Sequence, residues 1–260
     1  MIPSPIHKVL STFHKHRVRA LLMGGQACVL YGGAEFSRDT DFAVLADPTN
    51  LGRLRRALAE LKARCIAVPP FEARHLRRGH AVHFRCGASG CRGLRVDLMA
   101  KMRGLPAFPV LWQRRQTWQL GPRLQVAGLA LADLVRAKKT QRDKDWPMIR
   151  RLMEADYFAC ANRPRPGQVR FWLRESRSPE ILREMAWRYP LFFQQEMKKR
   201  KLFRVSGKSS LLAWEKALRL EEDRERARDK AYWRPLRQEL AELRRKVLSE
   251  LQMKVQSPKP

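Results

Sequence analysis

Three acidic residues, Asp39, Asp41 and Asp97, occupy stretches in which a carboxylate needs a positive partner. The run Asp39 to Leu45 alternates Thr40, Phe42 and Val44 against Asp39, Asp41 and Ala43, as a strand does. Two carboxylates one residue apart on a strand point to the same face. Charges of one sign so close repel, and in a cleft they want a cation. Mg²⁺ is the natural choice, being hard, oxygen-seeking and held by carboxylates together with substrate phosphates; Mn²⁺ is a substitute. Asp97 lies among Leu94, Val96, Leu98 and Met99, where an unpaired carboxylate is expensive. Beside the first pair it completes a two-ion set, with the ions about 3.5–4 Å apart, suited to in-line displacement. Asp39 and Asp41 are then expected to hold both ions. Asp97 completes the ion on the attacking oxygen and helps remove its proton. Upstream, Gly24-Gly25 ends an apolar run, and a turn without side chains lets backbone amides approach a phosphate. Each piece alone is common, and the order of the pieces carries the reading.

These residues need elements to position them. Periodicity predicts a helix over 3–16, a buried strand over 18–23 and a helix over 26–31. The acidic strand follows, then a helix over 51–62 and a brief strand over 65–68. The runs 80–86 and 94–100, with a Gly-rich connection between them, predict a hairpin. Residues 105–120 read as loop or mixed structure, 124–127 as a last strand, and 129–139 and 146–155 as helices. The Pro- and Arg-rich stretch 162–167 marks a boundary. The expected domains are 1–160 and a basic helical domain over 168–260. In the latter, helices are predicted over 169–177, 179–188 and 211–232. A final one carries Leu236, Leu240, Leu243, Val247 and Leu251 as an apolar stripe that suits packing within the chain.

The arrangement Gly24-Gly25 … Asp39-x-Asp41 resembles the signature of polymerase-β-type nucleotidyltransferases, and within them the bacterial AbiEii-like (type IV toxin) group. A second stretch, Lys138-Lys139-Thr140-Gln141-Arg142-Asp143-Lys144-Asp145, is similar to the pattern that follows the catalytic sheet in that group. On a helix Lys138, Arg142 and Asp145 would share one face. The resemblance spans roughly residues 15–155. It implies a mixed sheet flanked by helices, and with the all-helical C-terminal region that the sequence pattern predicts over 168–260, outside the resemblance, the expected fold class is α+β. It implies Asp39, Asp41 and Asp97 as metal ligands and catalytic residues, with Gly24, Gly25, Ser37, Lys138, Arg142 and Asp145 around an NTP such as ATP. The sequence departs from the pattern at two places, with Glu35 where many relatives carry Arg and Met148 where they often carry Asp.

Charge bears on the partner. With 54 Lys and Arg against 25 Asp and Glu, the net charge is +29, and both expected domains share it. Such a field attracts polyanions and makes binding salt-dependent. Lys198, Lys199, Arg200, Lys201 and Arg204 are the expected phosphate contacts, and RNA or tRNA the expected acceptor, with an antitoxin protein as a further partner. Adenylylation of a protein or a small hydroxyl compound would use the same acids, and a non-catalytic nucleic-acid-binding protein is the remaining alternative. No apolar run reaches the ~18–20 residues of a membrane span, so a cytoplasmic protein without membrane contact is expected. Among the five cysteines, Cys28 and Cys65 read as small core residues, and Cys86 and Cys91 as thiols flanking a turn.

Overall fold

Ile6, Val9, Leu10 and Phe13, at helical spacing, form the buried side of α1 (Ser4–Lys15) in a computed structural model that describes residues 4–200, 202, 205 and 208–256. The apolar run that follows becomes β1 (Ala20–Met23), which passes directly into α2 (Gly24–Leu30). β2 (Thr40–Val44) returns beside β1, and α3 (Pro48–Glu60) leaves it with Asp47 as N-cap, its carboxylate accepting from Asn50 N. Asn50 is itself buried. Its amide donates to the carbonyls of Arg19 and Leu45 and accepts from Arg19 N, so one side chain fixes the outer ends of β1 and β2.

After β3 (Arg64–Cys65) and α4 (Ala73–Arg78), the expected hairpin forms as β4 (Val82–Arg85) and β5 (Arg95–Met99). Val82, Phe84, Val96 and Leu98 supply its buried face. Next come α5 (Phe108–Gln113), β6 (Gln116–Gly121) and β7 (Leu124–Gly128). The seven strands make one mixed sheet in the order β3-β4-β5-β2-β1-β7-β6. β2 runs parallel to β5 and β1 parallel to β7, and the remaining pairs are antiparallel. The helices beyond are α6 (Leu131–Ala137), α7 (Asp145–Cys160), α8 (Pro166–Glu175), α9 (Pro179–Arg188), α10 (Pro190–Met197) and α11 (Leu211–Gln256). The fold is therefore α+β, with a mixed sheet followed by a helical region. Among the described residues no helix is long and apolar enough to cross a membrane.

Several elements differ from expectation. β6 lacks apolar alternation because it is an edge strand with little burial. Its pairing with β7 and the Trp118 ring over Gly128 hold it instead. Pro190 starts a helix rather than closing the helical stretch, since proline suits a first turn. The two final helices are one, with Pro235 inside it. Along its stripe Leu236 is buried, but Val247 is 42% exposed. Cys65 is exposed, not core, whereas Cys28, Cys86 and Cys91 are buried.

Packing gathers the chain into units that do not follow the boundary at 162–167. One comprises Met1–Gln26, Arg38–Ala130 and Ala231–Pro260, and the other Ala27–Ser37 and Leu131–Lys230. The first holds the sheet. There the later part of α11 lies on α4, where Glu239 accepts from Arg78 Nε at 2.8 Å and meets His80 Nε2 at 2.8 Å. The second unit is helical. Trp172 is fully buried in it, donates to Asp156 at 2.6 Å and meets Tyr157 edge-on at 5.0 Å.

Candidate active site

The parallel pairing of β2 and β5 sets Asp41 directly opposite Asp97. Asp39 lies in the bend just before β2 and is exposed, so the strand begins one residue later than expected. On the other side of β2, Met23 is the partner of Asp41, and Gly24 follows at φ +64°. A Cβ built on Gly24 would sit 1.9 Å from Asp41 Oδ2 and 2.5 Å from its Cγ. Whatever Gly24 offers a phosphate, its first effect is to leave room for a carboxylate seventeen positions away. Gly24→Ala should therefore lower any cation-dependent activity of this site by about 10²-fold, because it displaces the Asp41 carboxylate by an ångström or more. Stability should fall by about 2–5 kcal/mol, the penalty for a left-handed residue with a side chain together with that of its overlap with Asp41. Turnover and melting measured side by side check this, and an active Gly24→Ala protein would refute it.

Asp97 is gripped by two residues that sequence periodicity did not single out. His83 stands opposite it on β4, with Nδ1 at 2.9 Å from Asp97 Oδ1. Arg95, two residues before Asp97 on the same strand face, donates from Nε to that oxygen at 2.8 Å. The Arg95 Nη2 to His83 Nδ1 distance is 3.0 Å. Burial alone would push the Asp97 carboxyl up, but the hydrogen bonds from His83 and Arg95 outweigh it and hold the group below the usual carboxylate range. The Arg95 guanidinium is in turn held more firmly to its proton, first by Asp97 and then by the fields of Asp39 and Asp41. One guanidinium thus bonds Asp97 and lies within the field of the other two acids. The i, i+2 spacing of Arg95 and Asp97 was the available signal.

Among the described residues no three His, Cys, Asp or Glu side chains are gathered as closely as a bound ion would hold them. The donor set itself is one of hard anionic oxygens, Asp41 and Asp97 on adjacent strands and Asp39 in the bend before β2, and it fits Mg²⁺ or Mn²⁺ by type.

Gly25 follows Gly24 in the first turn of α2 and belongs to the first unit, whereas Ser37, Lys138, Arg142 and Asp145 belong to the second. Ser37 lies in the irregular segment before Asp39 and is half-buried. Lys138 to Asp145 is not a helix. α6 stops at Ala137 and α7 starts at Asp145, with a turn between them. The Thr140 hydroxyl explains the break, because it accepts from Arg142 N in place of the helical ladder. Lys138, Arg142 and Asp145 still meet, through that turn. Asp145 is fully buried and accepts from Lys138 Nζ at 2.9 Å, Arg142 Nε at 2.7 Å and Thr140 Oγ1 at 2.5 Å. Lys138 is thereby committed to a buried ion pair, while Arg142 is largely exposed.

Of the expected phosphate contacts, Lys198 and Lys199 are exposed. Arg200 is 6% exposed and points inward. It donates to the carbonyls of Leu173 and Ser176 at the end of α8, and to Glu221 on α11. That corrects the expectation for Arg200, which fastens helices and offers no group to a phosphate. Lys201 and Arg204 lie outside the described residues.

No family model matches the chain, and no curated protein matches it either. Among solved structures, one titled "Crystal structure of JHP933 from Helicobacter pylori" superposes on 90% of this chain and 94% of its own, at 12% identity and a TM-score of 0.35.

Proposed function

We propose that the chain is a metal-dependent nucleotidyltransferase of the polymerase-β type, similar to the AbiEii-like group, moving a nucleotide from an NTP to RNA or tRNA in a toxin or defence role. The observation that supports this most is the opposition of Asp41 and Asp97 on adjacent parallel strands, with Asp39 two residues before Asp41 and Gly24 making space beside it. Asp39, Asp41 and Asp97 would hold Mg²⁺, which when bound neutralises charge on the triphosphate and activates the attacking hydroxyl. The chain's own residues set the stage for that. Gly24 leaves the Asp41 carboxylate its room, and His83 and Arg95 hold that of Asp97. A carboxyl held below the usual range by His83 and Arg95 stays ionised, as a cation ligand must be. Arg95 supplies one positive charge to a group of three negative ones, which keeps them together at moderate cost. A net charge of +29 favours a polyanionic acceptor over a small hydroxyl compound.

Incubation with each labelled NTP, Mg²⁺ or Mn²⁺, total RNA and cell protein tests the proposal. Label is expected in the RNA fraction. Label in protein alone would transfer the reading to adenylylation, and label in neither, with either metal, would leave no enzyme to explain.

A further inference from the structure

The sheet face away from Asp41 carries a second feature. Phe42 alternates with Asp41 on β2 and so points to the opposite face, where it meets Phe13 of α1 with ring centroids 4.7 Å apart. Beside them opens a cavity of about 620 Å³, between the end of α1 and the β6–β7 hairpin. Among the described residues five cationic side chains line it, Lys15, Arg17, Arg19, Arg53 and Arg115, and no carboxylate does. Lys15 pairs with Glu60 outside the lining at 3.0 Å. Trp112 forms part of the wall, half-exposed, with Phe108 stacked on it at 5.6 Å and the Arg115 guanidinium 4.5 Å from its ring centroid.

The segment holding two of these arginines is fixed from behind. Asn50 holds the Arg19 main chain through both its N–H and its carbonyl, and Arg53 donates to the Arg17 carbonyl at 3.2 Å. Arg17 is the residue just past α1 that turns the chain, at φ +53°. Glycine or asparagine is the usual occupant of such a position. An arginine stands there against the local preference, and an exposed guanidinium at such a site asks for a role outside the fold.

We propose that this cavity binds single-stranded RNA away from the proposed transfer site, with phosphodiesters on Arg17 and Arg19 and a base against Trp112. Cations tracking a backbone beside an aromatic wall are how single strands are held without sequence preference. The choice of RNA over DNA rests on the acceptor proposed above, whereas the site rests on the geometry alone.

The test is fluorescence anisotropy of a labelled 12-nucleotide RNA, and of the DNA of the same sequence, across a salt series. Arg17→Ala/Arg19→Ala is expected to weaken RNA binding roughly tenfold and to flatten the log–log salt slope by about 1.4, two single-strand contacts. Trp112→Ala should weaken it without changing the slope. Arg17→Gly separates ligand contact from structure: it should raise the melting midpoint by about 1–3 °C, by relieving the left-handed arginine, while still weakening binding. An unchanged slope in the double variant overturns the proposal, as does binding to anionic lipid vesicles with no effect on RNA. A preference for the DNA strand overturns the choice of RNA. Asp41→Asn is expected to bind RNA as the parent does, so loss of turnover there with binding intact keeps the two sites' fates distinct. If the parent shows no nucleotide transfer but the arginine variants still lose RNA, only the transferase reading fails.

Discussion

Asp41→Asn should lower nucleotide incorporation by about 10³-fold or more while leaving the fold as stable as before, or slightly more so. The side chain is half-buried between Gly24 and the strand that carries Asp97. Asparagine has the same shape, so it fits the space that Gly24 leaves and removes one of three neighbouring negative charges. The loss falls on cation binding, and several kcal/mol of charge stabilisation corresponds to that factor in rate. Asp97→Asn should behave differently. It too loses activity, but it also weakens the charge-assisted hydrogen bonds from His83 Nδ1 and Arg95 Nε, and so should lower stability by about 1 kcal/mol. Melting curves and Mn²⁺ titrations of the two variants separate these effects. Full turnover by Asp41→Asn would end the enzymatic reading.

That contrast also marks what the chain discloses on its own. Asp97 could be placed on a strand because Val96 and Leu98 flank it, and burial of those two is what alternation means. The pairing of that strand with β2 brings Asp41 opposite Asp97, a nonlocal register that the local pattern could only suggest. His83 was within reach of the same logic, since it stands in the other half of the hairpin. The function of Gly24 was not, because it depends on a φ angle and on an atom of Asp41. Likewise the turn at Thr140 could not be read from spacing. Lys138, Arg142 and Asp145 satisfy a helical period and a tight turn equally well, and a hydroxyl decides between them. Arg200 was read as a surface charge because its run is basic. The carboxylate that turns it inward, Glu221, lies 21 residues later on another helix. A basic run marks solvent only when no half-buried acid elsewhere in the chain draws one of its members inward.

Glu221→Gln is accordingly expected to destabilise the protein by about 3–5 kcal/mol, the usual cost of removing one partner from a buried ion pair. Glu221 accepts from Arg177 Nη1 at 2.7 Å and from Arg200 at 3.0 and 2.8 Å. Both guanidiniums are nearly sealed from water, and among the described residues no hydrogen bond reaches Nε or Nη2 of Arg177. Burial weakens the hold of Arg177 on its proton, yet a guanidinium does not titrate in an accessible range, so the carboxylate is the group that responds to pH. Burial pushes Glu221 up, but the charges and hydrogen bonds of Arg200, followed by Arg177, bring it down to about 2. A depressed carboxyl stabilises the fold above its unfolded value of about 4.5 and loses that contribution as pH falls towards 2. The span corresponds to up to about 3 kcal/mol. Denaturant melts at pH 7 and pH 3 should show the parent losing stability over this window. Glu221→Gln should start lower and fall less, since the group that would have been protonated is already neutral. Equal losses in both proteins would show that other acids dominate and that this network is a bystander.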